Sequence, residues 1–472
     1  MYLQTRRSFM KTGKTMMTAA VCMAAGLLSA QMICAESRIK AGSYVGTGNG
    51  RNGEVQVEVT VEEDGTITDI IVGENTETPA IAGNAIDVLP GLMTQNQTLN
   101  VDSVAGATLT SAGIKSAVRD ALTQAGADVE QYQTPVIYET EEKTIDTDIV
   151  IVGAGGSGMS AAIEAANAGA SVTVVESNAY PGGATLYSGG MVLYAATPEE
   201  AEEYGSLDAA GLQEGMKQYA GEAYNSELAL DYLNHTKENI DWLKSLYGKN
   251  DLTDSHDPGY VPMTPEDTEV SHTLAITIHP TEENGGLVNS WVADTLYQTA
   301  VEAGARFLLN TTADELLTDE AGKVSGIHAT DNTGNTYVIN AKKVILATGG
   351  YGGNYEMLKA HTDMEKPFYL GPTSNKGWGI EAGESVHAKT AHSTLPDIEG
   401  YNSMVYGTVG GLIVDKEARV LDENDAPIEN LFAAGELTCV QALDVVHFSA
   451  GENISWNIYS GRIAGNTAAG EL

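Results

Sequence analysis

A glycine-rich turn between two apolar runs constrains the fold of this chain more than any other feature. Apolar residues fill 149–152, a helical pattern follows the turn, and a second apolar run at 172–175 ends in Glu176. The glycines of the turn are Gly153, Gly155 and Gly158. Such glycines permit a tight turn, close approach of the backbone to a pyrophosphate and close packing of helix on strand, while an acid about twenty positions on can accept from a ribose hydroxyl. The stretch 146–190 therefore predicts a dinucleotide-binding βαβ unit, and an ordinary strand-to-helix turn is the alternative.

Length and charge narrow the classes of protein and of partner. The chain has 472 residues, 42% of them hydrophobic, and a formal net charge of -39. This length allows two or three domains with a large core. The acidity is spread along the chain without a long acidic block, so nucleic acid and anionic lipid are not expected partners.

The first 35 residues have the composition of an export signal. Basic residues without any acid precede an almost uncharged run at 16–35. The order around Arg6 and Arg7 resembles the twin-arginine signal of proteins exported in the folded state, with the general secretory route as the alternative. A retained membrane anchor is a further alternative, although the many small residues make this apolar run a weak candidate for a membrane-spanning helix. The prediction is an exported protein, periplasmic or at the cell surface, with membrane association left open.

The cysteines limit which redox groups this chain can hold. Cys22 and Cys34 lie in the predicted signal, so Cys439 is the only cysteine left after its removal. One cysteine excludes intrachain disulfides, c-type haem attachment and cysteine-ligated iron–sulfur clusters. No motif predicts a metal site. If this protein moves electrons, flavins must carry them.

Residues 38–126 are predicted to form a small domain of their own. Alternating apolar residues at 55–61, a turn, and a second run at 67–72 indicate a β-hairpin, and a helical pattern covers 111–122. Small residues surround Thr108 between these elements. Taken alone, this loop is explained by Thr110 or Ser111 capping the helix.

A resemblance gives the loop around Thr108 a further meaning. Residues 102–108 are similar to the D-x-x-[ST]-G-A-[ST] sequence of bacterial FMN-binding domains in which FMN is joined to a threonine by a phosphoester. Matched by position, Asp102 is the recognition acid, Gly106 and Ala107 are the small pair and Thr108 is the acceptor; Ala105 departs from the usual Ser or Thr. The resemblance implies covalent FMN on Thr108 and an FMN transferase as a partner. The polar stretch 127–145 is predicted to be a linker.

Several later motifs resemble the FAD domain of fumarate and urocanate reductases. They are a glycine-rich pair of turns at 181–191, the sequence AKKVILATGGY at 341–351 and NLFAAGELT at 430–438. A carboxyl-terminal helix pattern at 453–468 would direct its amino-terminal N–H groups to the flavin O2. The resemblance implies non-covalent FAD. The residues expected to contact it are Gly153, Gly155, Gly158, Glu176, Gly182, Gly183, Thr185, Gly189, Gly190, Ala313, Thr348, Gly349, Gly435, Glu436, Gly451, Asn453 and Ile454.

One domain of the family that this chain resembles has no counterpart in the sequence. In that family a lid domain interrupts the FAD domain and supplies an arginine as proton donor, whereas here the FAD domain resumes soon after about residue 395. Neither the lid arginine nor the late arginine that clamps a carboxylate has an equivalent. Tyr406 and Gly407 stand where the family has paired histidines, and His447 stands where it has the late arginine. Bidentate arginine suits dicarboxylates best, so fumarate and succinate are disfavoured substrates.

These residues leave three functions open. The chain is predicted to be α/β, with a Rossmann-like FAD-binding domain and reduced lid at 146–472 and a small α+β FMN-binding domain. The first hypothesis is reduction of an activated C=C in a small molecule, with electrons from a membrane or cell-surface flavin donor relayed through FMN and with Tyr406 and His447 donating a proton or polarising a carbonyl. In the alternative, His447 packs beside the flavin or caps the last helix. The second hypothesis is a ketosteroid-dehydrogenase-like enzyme, and the third is electron transfer without catalysis. A closed cavity would favour catalysis, and an open FAD edge would favour relay.

Overall fold

The computed structural model describes residues 39–77, 79–104, 107–136, 140–188, 190–246, 259–262, 270–277, 290–396, 404–443 and 451–472. The predicted export signal, residues 1–35, lies outside them. The amino-terminal elements are β1 (Gly42–Asn49), β2 (Glu54–Val61), β3 (Ile67–Val72), α1 (Pro79–Asn96), α2 (Thr108–Gln124) and a 3-10 turn (Val129–Tyr132). Among the described residues, no helix is both long enough and apolar enough to cross a membrane.

The remaining elements belong to the larger part of the chain. Its strands are β4 (Glu142–Val152), β5 (Val172–Val175), β6 (Met191–Tyr194), β7 (Gly259–Pro262), β8 (Val270–Thr277), β9 (Arg306–Leu308), β10 (Thr311–Thr318), β11 (Val324–Asp331), β12 (Thr336–Leu346), β13 (Phe368–Tyr369), β14 (Thr390–His392), β15 (Met404–Val405), β16 (Gly410–Leu412), β17 (Arg419–Leu421) and β18 (Pro427–Ala433). Its helices are α3 (Gly156–Asn167), α4 (Pro198–Tyr204), α5 (Ala209–Lys217), α6 (Ser226–Leu246), α7 (Ser290–Glu302), α8 (Tyr355–Ala360), α9 (Trp378–Ser385) and α10 (Glu452–Gly470), with 3-10 turns at Gly183–Tyr187 and Gly435–Gln441.

The small domain is an antiparallel sheet covered by helices. Its strand order is β1-β2-β3, and the predicted hairpin is confirmed by the pairing of β2 with β3. The alternating valines of β2 point into the core, which α1 and α2 close. The sequence alone did not predict α1, because Pro90 and two glycines interrupt its helical pattern. Helix α2 lies directly on β1, where a Cβ at Gly48 would overlap the carbonyl oxygen of Gly113.

Helix α2 begins earlier than the pattern at 111–122 suggests. Thr108 is its first residue, Ala107 is the N-cap, and no side chain caps the helix. The alternative in which Thr110 or Ser111 caps the helix is therefore wrong. The Ser111 hydroxyl donates instead to the Ala107 carbonyl oxygen at 2.8 Å and accepts from the Val104 N–H at 3.1 Å.

The segment predicted as a linker, 127–145, is shorter in the structure. The Tyr132 hydroxyl is buried and donates to the Gly65 carbonyl oxygen at 2.6 Å, so the start of the segment packs on the small domain. At its other end, β4 already begins at Glu142, which pairs with Thr336 of β12. The polar composition of the segment did not predict these two contacts, because backbone groups and the side chain of one tyrosine make them. Residues 137–139 lie outside the described part of the chain.

The large domain is built on a mixed sheet around the predicted βαβ unit. The strand order is β10-β11-β12-β4-β5-β9, with β18 beside β12 and β17 beside β18. Strands β12, β4, β5 and β9 run parallel. Alternate residues of β4 enter two different core clusters, Val150 and Val152 on one face and Ile149 and Ile151 on the other. Burial of both faces explains why the run is continuously apolar.

Two short strand pairs occupy the place where the resembling family inserts a lid. Strand β14 pairs directly with β16, His392 opposite Gly410, and β13 pairs in parallel with β15. Residues 397–403 between them lie outside the described residues.

Candidate functional site

A cavity of about 390 Å³ lies at the carboxyl ends of the parallel strands. It is bounded by the turn after β4, by the residue after β5 and by the turn after β12. Open parallel sheets bind ligands at this edge, where loops and helix amino termini converge. The cavity therefore coincides with the site that the glycine motif predicts.

The glycine turn is shaped by two close approaches. Gly153 has φ +104, and a Cβ there would overlap the carbonyl oxygen of Ala347 after β12. A Cβ at Gly158 would overlap the Gly153 carbonyl oxygen, so only glycine lets α3 pack onto the turn. Gly155 is different, since nothing lies within 4 Å of its Cβ position. That open space in front of the start of α3 is where a phosphate can approach the helix N–H groups.

Glu176 is held by the chain itself at the end of β5. Its side chain is buried and accepts from the Ala154 N–H and from both the N–H and the side-chain amide of Asn178, each at 2.8 Å. Asn178 also donates to the Ser374 hydroxyl at 3.1 Å. The carboxylate is thus fixed at the cavity wall, where a ribose hydroxyl is expected.

A second acid, Glu436, also lines the cavity. Its carboxylate accepts from the Thr408 N–H at 2.7 Å and from the Thr408 hydroxyl at 2.8 Å. The buried hydroxyl of Thr348 lines the same cavity and has no hydrogen-bond partner among the described residues. A buried hydroxyl without a partner, on a residue that lines the cavity, fits a polar ligand such as FAD.

The structure separates the predicted FAD residues into two groups. Those that line the cavity are Gly153, Gly155, Glu176, Gly183, Thr185, Ala313, Thr348, Gly349 and Glu436. Those that do not line it are Gly158, Gly182, Gly190, Gly435, Gly451, Asn453 and Ile454. Gly451 is the N-cap of α10, and its carbonyl oxygen accepts from the Leu193 N–H of β6 at 3.2 Å. Gly189 lies outside the described residues.

Of the two predicted catalytic residues, the structure describes Tyr406 but not His447. Tyr406 directly follows β15, and 55% of its surface is exposed. His447 lies outside the described residues, so its role stays a prediction. Tyr406 is not among the residues that line the cavity, so its role stays a prediction as well.

Sequence reasoning missed several residues that line the cavity. They are Ser157, Asn178, Asn354, Ser374, Asn375, Lys376, Trp378, Glu381 and Asn457, among others. Six of those named come from the segment that follows β12 and includes α9. The one available signal was the row of small and polar residues that leads into Trp378. Its position at the cavity depends on how α9 folds back, which no short motif encodes.

Thr108, the predicted FMN acceptor, is exposed on the first turn of α2. Thr110, on the opposite side of that turn, is buried and donates a short hydrogen bond to Glu77. Glu77 also accepts from the Asn52 N–H at 2.7 Å. Burial opposes ionisation of Glu77, but these hydrogen bonds outweigh it and its pKa lies below the usual value. Anchoring Thr110 inward leaves Thr108 facing solvent, where an incoming flavin can reach it.

A pair of histidines lies close behind the cavity wall. The rings of His361 and His392 stack with centroids 4.1 Å apart, and Tyr351 packs edge-on against both. Neither the Tyr351 hydroxyl nor the His392 Nδ1 has a hydrogen-bond partner within the described ranges. Burial, and then the neighbouring His361, lower the pKa of His392 to about 4.

The lowered pKa predicts a stability that falls in mild acid. Unfolded histidine binds its proton near pH 6.5 and folded His392 only near pH 4, so stability is complete above about pH 6.5 and decreases as pH falls toward 4. Allowing for partial exposure of the ring, we expect a loss on the order of 1 kcal/mol between pH 7 and pH 5. Urea unfolding at both pH values measures it. His392→Gln should reduce this pH dependence, and an unchanged slope in the variant would contradict the assignment.

Two protein families match this chain. The FAD binding domain family matches residues 148–397 and 401–445, and the FMN-binding domain family matches residues 50–123. The first match covers more than half of the chain and includes the glycine turn, α3, β5 and the cavity turns described above. The second covers β2, β3, α1 and Thr108. The chain therefore binds FAD and FMN.

The curated relatives named here are reductases and oxidoreductases longer than this chain. Urocanate reductase from Eggerthella lenta is 32% identical over 69% of this chain and 52% of that protein. NADH:acrylate oxidoreductase from Vibrio harveyi is 29% identical over 75% of this chain and 40% of that protein. The fumarate reductase (cytochrome) of Shewanella frigidimarina is 30% identical over 58% and 44%, respectively. The chain thus spans about half the length of these relatives or less.

Solved structures share the fold of the large domain. A 3-ketosteroid-delta4-(5alpha)-dehydrogenase from Rhodococcus jostii has a TM-score of 0.57 at 18% identity and covers 69% of this chain and 97% of its own. A flavocytochrome c3 fumarate reductase in its open conformation has a TM-score of 0.55 at 20% identity, covering 69% and 78%. At this identity the likeness concerns the fold alone.

Proposed function

Because this chain belongs to the FAD binding domain family, we propose that it is an exported oxidoreductase that reduces an activated carbon–carbon double bond. Electrons enter from a membrane or cell-surface flavin donor at FMN on Thr108 and pass to the FAD cavity. The observation that carries this proposal is the presence of two flavin-binding domains in one chain, one of which presents an exposed threonine. An FMN transferase would attach the FMN before or during export.

The residues of the cavity support a defined arrangement of FAD. Glu176 would bind the adenosine ribose and the N–H groups at the start of α3 the pyrophosphate, with Thr348 and Glu436 toward the ribityl chain. FAD supplies hydride chemistry at such a site. Tyr406, directly after β15, is the residue that we propose contacts the substrate. Its hydroxyl is the candidate donor of the proton that completes the reduction.

Electron relay without substrate reduction is the second candidate. One observation favours it: 55% of the surface of Tyr406 is exposed. In the fumarate and urocanate reductases that the sequence resembles, a lid is expected near this position. An open edge lets a partner protein reach the flavin. It also admits water, which weakens electrostatic stabilisation of a transition state.

One experiment distinguishes catalysis from relay. The protein loaded with both flavins is reduced anaerobically with a viologen dye, and its reoxidation is followed with enoates, cinnamates, styrenes and enones. We expect at least one of these alkenes to accelerate reoxidation and to appear as its saturated product. If none does, while a soluble electron-carrier protein reoxidises it rapidly, the chain is a relay and the reductase proposal is wrong.

A further inference from the structure

Among the described residues that line the FAD cavity, one side chain is basic. It belongs to Lys376, and the acids that line the same cavity are Glu176, Glu381 and Glu436. Within the described ranges the Lys376 ammonium forms no ion pair. The diphosphate of FAD is an anion, which is costly to place among carboxylates unless a cation or N–H groups face it. Lys376 is therefore the side chain that can compensate this charge, together with the N–H groups at the start of α3.

Hydrogen bonds tie the loop before α9 to the acid at the end of β5. The Asn178 side-chain amide donates both to Glu176 at 2.8 Å and to the Ser374 hydroxyl at 3.1 Å. Ser374 precedes Lys376 by two residues, so their Cα atoms are at most about 7 Å apart. Glu176 is the acid expected at the adenosine ribose, and this ribose is joined to the diphosphate. The loop thus brings a cation to the part of the wall where the diphosphate is expected.

Trp378, the first residue of α9, lines the same cavity. The glycines on either side of it lie against the turn after β12. The Gly377 N–H donates to the Gly350 carbonyl oxygen at 3.2 Å, and a Cβ at Gly379 would lie 2.2 Å from the Thr348 hydroxyl oxygen. The indole is half-buried and packs partly on the core. An aromatic partner for it is absent from the described residues, although one side of the residue faces the cavity.

The strand that begins beside Glu176 packs on the helix that begins with Trp378. The Thr311 N–H at the start of β10 donates to the Glu176 carbonyl oxygen at 2.9 Å, and Thr311 lines the cavity. Helix α9 packs on β10. Glu176, the start of β10 and Trp378 therefore belong to one part of the cavity wall. An adenine whose ribose is bound by Glu176 would meet this part of the wall.

The two flavins that this chain binds differ in the half that this wall would contact. FAD is FMN joined to adenosine monophosphate, so contacts to the flavin half alone could not distinguish them. The large cavity needs contacts to the adenosine half if it is to take FAD and leave FMN to the small domain. Glu176 supplies one such contact, to the ribose, but none to the adenine or to the charge of the diphosphate.

We propose that Lys376 and Trp378 make the large cavity selective for FAD over FMN. The Lys376 ammonium pairs with the diphosphate, and the Trp378 indole stacks on the adenine. An aromatic side chain stacks on a base of any kind because every base has a π-face. Neither residue belongs to a glycine motif, so their role depends on the fold. This inference concerns the choice of cofactor and goes beyond the proposed reduction of an alkene.

Replacement of Trp378 tests the stacking. FAD, ADP and FMN are each titrated by calorimetry into the whole chain freed of its non-covalent FAD. Trp378→Leu keeps an apolar side chain against the core but removes the flat ring. We expect it to weaken binding of FAD and of ADP roughly 5- to 100-fold and to leave the weaker binding of free FMN unchanged. Trp378→Phe keeps a ring and should retain most of the affinity.

Replacement of Lys376 tests the charge. Lys376→Met should weaken FAD binding roughly 2- to 5-fold at low ionic strength, since the residue is exposed. The effect should disappear at about 1 M salt, where the Debye length is about 3 Å. Lys376→Arg keeps the charge and should keep the affinity. Lys366→Met, which removes an exposed lysine that does not line the cavity, is the matched control for net charge and should change nothing.

The ratio of affinities separates selection from packing. Loss of FAD and ADP binding without loss of FMN binding in Trp378→Leu supports the inference, and that result is independent of whether any alkene is reduced. If FMN binding weakens as much as FAD binding, Trp378 only packs on the core and the inference is wrong. Wild-type FAD affinity in Trp378→Leu or in Lys376→Met would overturn it, as would an equal loss in Lys366→Met.

Discussion

Thr108→Ala is expected to abolish covalent attachment of FMN while leaving the small domain folded. Thr108 is exposed and no side chain caps α2, so removal of its hydroxyl breaks no contact on which the helix depends. The buried anchor of the same turn, Thr110 with Glu77, remains in place. Mass spectrometry of the peptide that contains residue 108 should show FMN in the wild type and none in the variant.

Loss of FMN should also stop electrons from the physiological donor reaching FAD. Reduction of FAD by membranes or by a purified flavin donor is expected to fall to background in Thr108→Ala, whereas direct reduction by a small dye should persist. Thr108→Ser keeps a hydroxyl and should retain part of the FMN. Thr123→Ala, an exposed threonine at the other end of α2, is the matched control and should retain all of it. FMN found in Thr108→Ala would place the attachment elsewhere.

Alanine at Gly155 and at Gly158 should have opposite effects on folding and on cofactor binding. Nothing lies within 4 Å of a Cβ at Gly155, and its φ of -76 suits any residue, so Gly155→Ala should fold normally. That methyl group would occupy the space through which the pyrophosphate approaches α3. We expect FAD affinity to fall on the order of 10- to 100-fold.

Gly158→Ala should instead destabilise the protein. Its Cβ would meet the Gly153 carbonyl oxygen, a backbone atom that cannot move without displacing the turn. Overpacking of this kind costs about 1–3 kcal/mol, which is several degrees in Tm. Calorimetry of the FAD-free proteins and FAD titration measure the two effects independently. A Gly155→Ala protein with wild-type FAD affinity would show that the pyrophosphate does not approach this turn.

Local sequence was sufficient for the elements whose chemistry depends on adjacent residues. The βαβ unit follows from an apolar run, three glycines and an acid, because backbone geometry and helix N–H groups are set within a few residues. The turns at 341–351 and 430–438 were found through their resemblance to the FAD domain of fumarate and urocanate reductases, and both Thr348 and Glu436 line the cavity. The valines of β2 predicted their own hairpin because a strand with one buried face has a two-residue period.

Contacts between distant segments could not be predicted from such patterns. Helices α10 and α9 pack back onto the sheet, and this brings Asn457, Asn375 and Trp378 to the cavity. The residues next to them in the sequence form no motif that predicts this position. The β4 strand extends into the polar segment 142–145 because β12 supplies its hydrogen bonds. Tertiary pairing here overrides the local preference of a polar sequence.

The sequence by itself identified two flavin-binding domains, through the resemblance of its motifs to known families, and the same resemblance predicts that the arginines of a dicarboxylate site are missing. Those conclusions need only motifs of adjacent residues to compare. The tertiary structure decided that Glu176 and Glu436 line one cavity, that Thr110 is anchored inward while Thr108 is exposed, and that Phe368 and Tyr406 share a face. The last pair is separated by a long stretch of chain, and only the register of β13 on β15 makes the two rings neighbours on one side.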